Sequence, residues 1–422
     1  VIKEIILQQK REKEFISRGE YIPREKLAIA EKFLNTDLIK IITGPRRAGK
    51  STFCFLLLKG RNFAYLNFDD ESLLKIENYD ELIRYIWEVY GSPEFIMLDE
   101  IQNLNNWELF VNKLKRRGYN LIITGSNSKL LSREFASALT GRHIPIEIYP
   151  FNFREFLKAK NCEIKEDDML IPEEKGRVLN YLDEYLRNGG FPEVIIKGIE
   201  PKVYLGTLFD SILFRDVVRK YKVRFSQKIY DLSLYLINNC SSEFSFNKLK
   251  NVLDFKSIVT LQNYISFLEE AYIFYSLNRY SYKIKEQIKS PRKGYVIDNG
   301  FISSKAILFS QNMGRLMENL VFTELLKKGF EPNKSLFYYK TKNQEELDFV
   351  IKEDTKIKAL IQVCYQIPDT KTREREIKGL LTASNELDCK ELYIITWDIE
   401  EEIKRENRTI MLIPLYKWLY YN

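Results

Sequence analysis

Residues 42–52 read ITGPRRAGKST, and no other stretch limits the fold so tightly. Gly44-Pro45-Arg46-Arg47-Ala48-Gly49-Lys50-Ser51 fits the spacing GxxxxGK[ST], with Thr52 behind it. The β-rich run LIKIITG precedes the loop and the apolar stretch STFCFLLLKG follows as a helix. A strand that turns through glycines into a helix N-terminus aims backbone amides at a phosphate chain. In that setting Lys50 neutralises the β and γ oxygens and Ser51 ligates Mg2+, so ATP and Mg2+ are the expected cofactors. The alternative is a Gly-Lys loop matched by chance, for which strand, loop and helix would all have to coincide.

FIMLDEIQN supplies the second half of such a site. Four apolar residues read as a buried parallel strand, and Asp99 and Glu100 stand at its C-terminal edge, where open α/β sheets bind ligands. Asp99 is expected to hold Mg2+, directly or through water, and Glu100 to orient and polarise the attacking water. A surface acidic pair ending a strand is the bland alternative. NLIITGSNS is a further buried strand whose tip offers Thr124, Ser126 and Asn127 as sensors of the γ-phosphate. SKLLSREFASAL then has helical spacing, TGR breaks it, and HIPIEIYP alternates as a strand, which leaves Arg142 between a helix and the last core strand.

At 422 residues the chain exceeds one ordinary core, and two to four domains are expected. Hydrophobic residues at 45% and charged residues at 30% belong to a folded protein rather than to a disordered or fibrous one. Cys54, Cys162, Cys240, Cys364 and Cys389 are scattered without CxxC spacing, which fits reduced thiols rather than a zinc site. A single histidine, His143, removes Ser-His and Cys-His nucleophile schemes. No apolar run approaches the ~20 residues of a membrane span, and VIKEIILQQKREKEF lacks a signal-peptide core, so a cytoplasmic protein without a membrane partner is expected. The net charge of +7 permits nucleic acid as a partner without demanding it.

The order of these elements resembles the AAA+ ATPases, with residues 1–150 as the P-loop core. In that family an arginine at the end of the helix before the last core strand reaches the neighbouring subunit's nucleotide, which implies Arg142 as an arginine finger and a homo-oligomer. A solvated turn arginine is the alternative. Residues 151–225 read as helices, FREFLKAK, GRVLNYLDEYLRN and YLGTLFDSILFRDVVRKY, and the resemblance makes them the helical lid. A Gly-x-Pro in such lids contacts the adenine end, which implies binding roles for Gly190 and Pro192 in GGFPEV. A helix-breaking turn explains the same residues equally well.

Residues 226–300 change to short helices, QKIYDLSLYLINNC, SFNKLKNVLDF and SIVTLQNYISFLEE, followed by FYSLNRYS and YKIKEQIK, read as two aromatic and basic strands. Three helices and a β-hairpin make a winged helix with SIVTLQNYISFLEE as the recognition helix. Thr260, Asn263 and Tyr264 are expected outward on it, and Arg279, Tyr280, Tyr282, Lys283 and Lys285 on the wing, where cations neutralise phosphates and aromatics stack on bases. Winged helices also dock proteins, and that alternative stays open.

Residues 301–422 place the helix GRLMENLVFTELLKKGF before strand-like SLFYYKT, EELDFVI and KALIQVCYQ, then a helix and ELYIITW. This order resembles the restriction-endonuclease-like fold, whose acidic helix residue, strand Asp and acid-x-Lys hold Mg2+ and activate water. Glu318 and Asp348 take the first two places, but the third reads Gln362-Val363-Cys364. A neutral amide for a carboxylate and a thiol for a lysine remove two charges that phosphodiester cleavage needs, so no nuclease activity is expected. Lys358 and Lys378 stand nearby in sequence, with nothing in the pattern to bring either one in.

From ITGPRRAGKST and IMLDEIQNLNNWE through ALTGRHIPIEIYPF, GGFPEV and GYVIDNGF to MENLVFTEL and ELDFVI, the chain resembles archaeal and bacterial AAA-type ATPases with a C-terminal winged-helix and nuclease-like portion. The expected fold class is α/β: a P-loop core with a helical lid, a winged helix and a restriction-endonuclease-like domain. The expected function is a Mg-ATP-driven, DNA-binding motor or remodeller that favours DNA structure over sequence. A nucleotide-dependent switch or protein remodeller is the alternative.

Overall fold

A computed structural model describes residues 2–76, 78–127, 142–165, 169, 171–306, 312–367, 369–405 and 407–421. The stretch SKLLSREFASAL, with Thr140 and Gly141 after it, lies outside the described residues. Contacts within the chain divide it into two compact units, Val1–Phe151 and Asn152–Asn422.

The first unit is built on a parallel sheet of β1 (Ile39–Thr43), β2 (Phe63–Asn67), β3 (Phe95–Asp99), β4 (Asn120–Gly125) and β5 (His143–Glu147), in the order β2-β3-β4-β1-β5. Its inner strands are predominantly apolar because both faces are covered. Successive residues point to opposite sides. Ile41, Ile96, Leu98 and Ile123 therefore join a core with the helices Tyr79–Tyr90 and Trp107–Arg116, whereas Ile42, Met97 and Ile122 pack with Phe53 and Cys54 of the helix Lys50–Leu57.

Edge strand β2 is closed by the N-terminal helix Ile2–Ser17. Gln9 exchanges two hydrogen bonds of 3.0 Å with the backbone of Asn67, and Lys13 Nζ donates to Phe63 O at 2.5 Å. Main-chain groups that would otherwise template another chain are satisfied by side chains. On the interior strand β1, Lys40 is fully buried with its amine on Thr36 O and Asn120 Oδ1, and burial lowers its pKa to about 8.

The second unit opens with the helices Phe153–Ala159, Pro172–Asn188, Pro192–Lys197 and Pro201–Ser211, three of them started by Pro at the first turn, where its missing N–H costs nothing. A π-helical stretch, Ile212–Arg219, continues the last of them. The helices Ser226–Asn238, Phe246–Val252 and Ile258–Glu270 then accompany β6 (Ser242–Phe244), β7 (Phe274–Asn278) and β8 (Arg292–Val296), an antiparallel sheet in the order β6-β8-β7.

Here the structure corrects the expected hairpin. YKIKEQIK is not a strand: Ile284–Lys289 is a short helix that buries no residue, and the partner of β7 is β8 further along. Ile284 and Ile288 stand at i, i+4, a helical spacing, and the short run carried no burial to separate it from alternation.

The rest of the unit is a mixed six-stranded sheet of β9 (Leu336–Lys340), β10 (Glu346–Glu353), β11 (Lys356–Cys364), β12 (Leu392–Thr396), β13 (Glu401–Arg405) and β14 (Arg408–Pro414), ordered β13-β14-β12-β11-β10-β9. The helices Met313–Lys327 and Thr370–Leu387 pack on it. Among the described residues no helix is long and apolar enough to cross a membrane.

Candidate functional site

The loop after β1 is shaped by backbone that only glycine tolerates. Gly44 has φ +145°, and a Cβ there would lie 1.9 Å from Ile148 O. Gly49, at φ 90°, caps the N-terminus of the helix Lys50–Leu57, so its first amides face the loop. Lys50 is buried; its Nζ donates to Pro45 O at 3.2 Å and stands 3.4 Å from Glu100 Oε1. Ser51 Oγ donates to Asp99 Oδ1 at 3.0 Å. Phosphate loop and β3 tip, 48 residues apart in sequence, therefore form one site.

The two carboxylates are held differently. Burial, and then the neighbouring Glu100, push the Asp99 carboxyl above its ordinary range, although Thr124 and Ser51 hydroxyls donate to it. Burial also works against the Glu100 charge, but Lys50 and Arg46 overcome it and hold that carboxyl below its ordinary range. Glu100 has φ 50°, a left-handed conformation uncommon outside glycine and often found where a side chain must be aimed. Thr124 joins the strands: it accepts from Glu100 N at 2.9 Å and donates to Asp99. Ser126 and Asn127 are buried just beyond it. The glycine cradle, buried cation, hydroxyl and two acids suit a nucleotide polyphosphate with a divalent cation.

Three residues of this site carried little signal in the sequence. Gln102 Nε2 donates to Glu100 Oε2 at 2.5 Å, with Ser126 Oγ at 3.5 Å, while its own buried Oε1 has no partner among the described residues. Arg24 is buried and ties the loop to the chain after β5, with Nη1 on Ala48 O at 2.9 Å and Nη2 on Tyr149 O at 2.5 Å. Asp69 pairs with Arg46 at 3.8 Å and accepts from Asn103 at 2.9 Å. Gln102→Ala should lower ATP turnover about tenfold, the worth of one charge-assisted hydrogen bond, with nucleotide affinity within twofold. Phosphate-release kinetics beside equilibrium nucleotide binding check this.

Arg142 is exposed, and its carbonyl accepts from Ile39 N at 3.0 Å, at the start of β1. All five residues of β1, at roughly 3.3 Å each, lie between it and its own chain's phosphate loop. Arg142 does not join the cluster of its own chain.

Gly190 and Pro192 lie at a turn between helices of the second unit. Gly190 N donates to Asp298 Oδ2 at 2.8 Å, Gly300 N donates to Asp298 Oδ1 at 2.8 Å, and Pro192 begins the helix Pro192–Lys197. GGFPEV and VIDNGF are thus locked together. Burial raises the Asp298 carboxyl to about 6. The folded chain therefore keeps a proton that the unfolded chain releases above about pH 4. This contribution, on the order of 2–3 kcal/mol, is present in acid and lost as pH rises through 6. Urea melts of the native chain and Asp298→Asn between pH 4 and 7 should show the variant with the flatter profile.

The candidate DNA-contacting residues divide. Asn263, Tyr282, Lys283 and Lys285 are exposed and Thr260 is half-buried, but Tyr264 and Tyr280 are buried. Tyr264 shares the stripe Leu261, Tyr264, Ile265, Leu268 that faces the core, and its ring meets Phe255 edge-on. Tyr280 N donates to Tyr338 O at 2.7 Å and its ring packs on Phe337 within the terminal core. Neither tyrosine is available to stack on a base. Arg279 donates to Lys340 O at 2.8 Å.

In the terminal sheet, Glu318 and Asp348 meet at one point, with Lys293 Nζ 2.8 Å from each. Gln362 Oε1 accepts from Asp348 N at 3.2 Å and its Nε2 donates to Glu376 at 3.0 Å, so the amide orders two acids. The Cys364 thiol donates to Gln366 O at 3.2 Å, and burial raises its pKa to about 11. The lysine present comes from β8, not from Lys358 or Lys378.

Residues 36–157 match a family described as an AAA domain, residues 179–312 a domain of unknown function (DUF8612), and residues 313–418 a domain of unknown function (DUF4143). The chain is 39% identical over 418 residues to the uncharacterized protein MJ1544 of Methanocaldococcus jannaschii, covering 93% of this chain and 92% of that one. It is 30% identical over 419 residues to an uncharacterized protein of Haemophilus influenzae, covering 91% of this chain and 99% of that one. Among solved structures, the Walker-type ATPase PABY2304 of Pyrococcus abyssi is similar at 16% identity, over 68% of this chain and 96% of that one, with a TM-score of 0.41. With an end-to-end relative at this identity, the chain belongs to the family of MJ1544, and in it a P-loop ATPase domain of the AAA class is followed by two domains of unknown function.

Proposed function

We propose that the chain hydrolyses ATP with Mg2+ and couples that cycle, in a homo-oligomer, to binding and remodelling DNA. The observation that carries the hydrolytic part is the convergence of Lys50, Ser51, Asp99 and Glu100 in one buried cluster. Bound Mg-ATP supplies the phosphoryl group and a cation that spreads its charge. The amides at Gly49 to Ser51 and the Lys50 ammonium bind the phosphates, and Ser51 and Asp99 hold the cation. Glu100, kept anionic by Lys50 and Arg46, orients water with Gln102 steadying its second oxygen. Thr124, Ser126 and Asn127 lie at the β4 tip as phosphate sensors. Arg142 serves the site of an adjacent subunit, where a planar guanidinium suits charge spread over a transferring group.

The DNA part is supported by the second unit. It holds three helices with a three-stranded sheet, which we read as a winged helix, and a later helix and strands, which we read as a restriction-endonuclease-like domain. Asn263, Lys283 and Lys285 are exposed there, with Thr260 and Arg279 beside them. Lys283→Ala with Lys285→Ala should weaken binding to all DNA sequences alike and reduce the salt slope of duplex binding by about one to two. The second reading, a nucleotide-dependent switch that docks a protein, is favoured by the buried Tyr280 and by the exposed apolar Ile284 and Ile288 beside those lysines. ATPase rate with and without duplex, single-stranded and four-way DNA separates them. Stimulation with salt-dependent binding is the expected result; indifference to all three DNAs gives the tail to a protein partner.

A further inference from the structure

No motif marks Lys293, yet it is 1% exposed, with Nζ 2.8 Å from Glu318 Oε1, 2.7 Å from Glu346 Oε1 and 2.8 Å from Asp348 Oδ1. An ammonium has three N–H donors and no acceptor, so three carboxylate oxygens saturate it. The acids come from separate places: Glu318 from the helix Met313–Lys327, Glu346 and Asp348 from β10, while the lysine arrives from β8 of the three-stranded sheet. Each acid is also held from another side. Tyr295 OH donates to Glu318 at 2.7 Å, Val363 N to Asp348 Oδ2 at 2.9 Å, and Lys340 stands 3.7 Å from Glu346 Oε2.

Two buried carboxylates and an exposed third around one point are what a hard divalent cation asks for, and the buried pair is what carboxylates without a counter-charge cannot sustain away from water. We propose that Lys293 is a tethered replacement for a divalent cation: the acidic trio of the terminal sheet is a cation site filled from within by this side chain, so the native chain takes up no metal there. The spacing agrees. Oxygens at 2.7–2.8 Å fit N–H donors; Ca2+ wants them at about 2.3–2.6 Å and Mg2+ at about 2.0–2.1 Å. Among the described residues no group of three His, Cys, Asp or Glu is arranged to hold a metal ion as the chain stands. Removing the ammonium lets the oxygens close in by a few tenths of an ångström, enough for Ca2+ and too little for good Mg2+ geometry. The same contact pins β8 to β10, so the cation inside the cleft also joins the two sheets. The inference stands apart from the nucleotide site and does not depend on DNA being the partner.

Calorimetric titration of the nucleotide-free full chain with CaCl2, MnCl2 and MgCl2 tests it. The native chain should bind no divalent cation that Asp348→Asn abolishes. Lys293→Ala should bind one Ca2+ per chain at least tenfold more tightly than Mg2+, and Ca2+ should raise its melting temperature but not that of the native chain. If Lys293→Ala is insoluble in EDTA, refolding with and without Ca2+ replaces the titration, and recovery only with Ca2+ supports the proposal. Lys293→Ala combined with Glu318→Gln and Asp348→Asn should fold in EDTA and bind no cation. The proposal is overturned by native binding of Ca2+ or Mn2+ that Asp348→Asn removes, or by Mn2+-dependent DNA nicking that Lys293→Ala removes. A folded Lys293→Ala that binds no cation, or one that refolds no better with Ca2+, overturns it equally.

Discussion

Glu100→Gln should bind nucleotide within about twofold of the native chain and turn it over at least ~100-fold more slowly. The substitution keeps the shape of the side chain and an oxygen that accepts from Gln102 Nε2, so the cluster around Lys50 persists. What goes is the negative charge. Lys50 and Arg46 hold the Glu100 carboxyl below its ordinary range against the cost of burial, which keeps it an anion able to take up a proton from water. Asp99, pushed the other way by burial and by Glu100 itself, is poorly suited to that task and well placed beside Ser51 to hold a cation. Two acids adjacent in sequence are thus shifted in opposite directions because their surroundings differ, which suits them to separate roles. Single-turnover phosphate release, with equilibrium binding of a fluorescent nucleotide, measures both halves. Turnover within threefold of the native chain would remove Glu100 from the chemistry.

The nucleotide half of the molecule was legible because its signals are local. Continuous apolar runs marked β1, β3 and β4 as strands covered on both faces, and the loop glycines marked backbone that no other residue adopts. The meeting of Ser51 with Asp99 follows once both motifs sit at the same end of a parallel sheet. Arg24 and Lys293 were not legible for a common reason: each acts through a partner that only the fold brings near, whereas Gln102 lies two residues from its partner Glu100 and no pattern marked it. Lys293 is 25 residues from Glu318 and 55 from Asp348, and nothing in PRKGYVIDNGF distinguishes it from a solvated lysine. Tyr264 and Tyr280 failed differently. A tyrosine has an apolar body, so a place in a basic, aromatic segment cannot say whether the ring faces solvent or core. For Tyr264 the 3.6-residue period did contain the answer, since it falls between Leu261 and Leu268 on the buried stripe. For Tyr280 it did not, because the surface that buries it, at Phe337, lies in the next sheet.

Gly189→Ala should cost about 4 kcal/mol of stability and shift the urea midpoint of the second unit by roughly 1–2 M, while nucleotide affinity of the folded protein stays unchanged. Gly189 ends the helix Pro172–Asn188 at φ 74° and ψ −165°, a region that side chains other than hydrogen make strained. Space is lacking as well as backbone freedom: an added Cβ would fall 1.6 Å from Asp298 Oδ1. Asp298 cannot swing away cheaply, because its two oxygens accept from Gly190 N and Gly300 N and its neighbour Asn299 donates to Leu186 O and Leu316 O. Any relief of the clash therefore leaves buried amides without acceptors, which is the dearer of the two outcomes. The same variant decides between the two readings of GGFPEV. A segment devoted to packing loses stability and leaves the dissociation constant for nucleotide alone, whereas a segment that meets adenine loses affinity first. Native-like melting with nucleotide affinity down tenfold would return Gly190 and Pro192 to the nucleotide site.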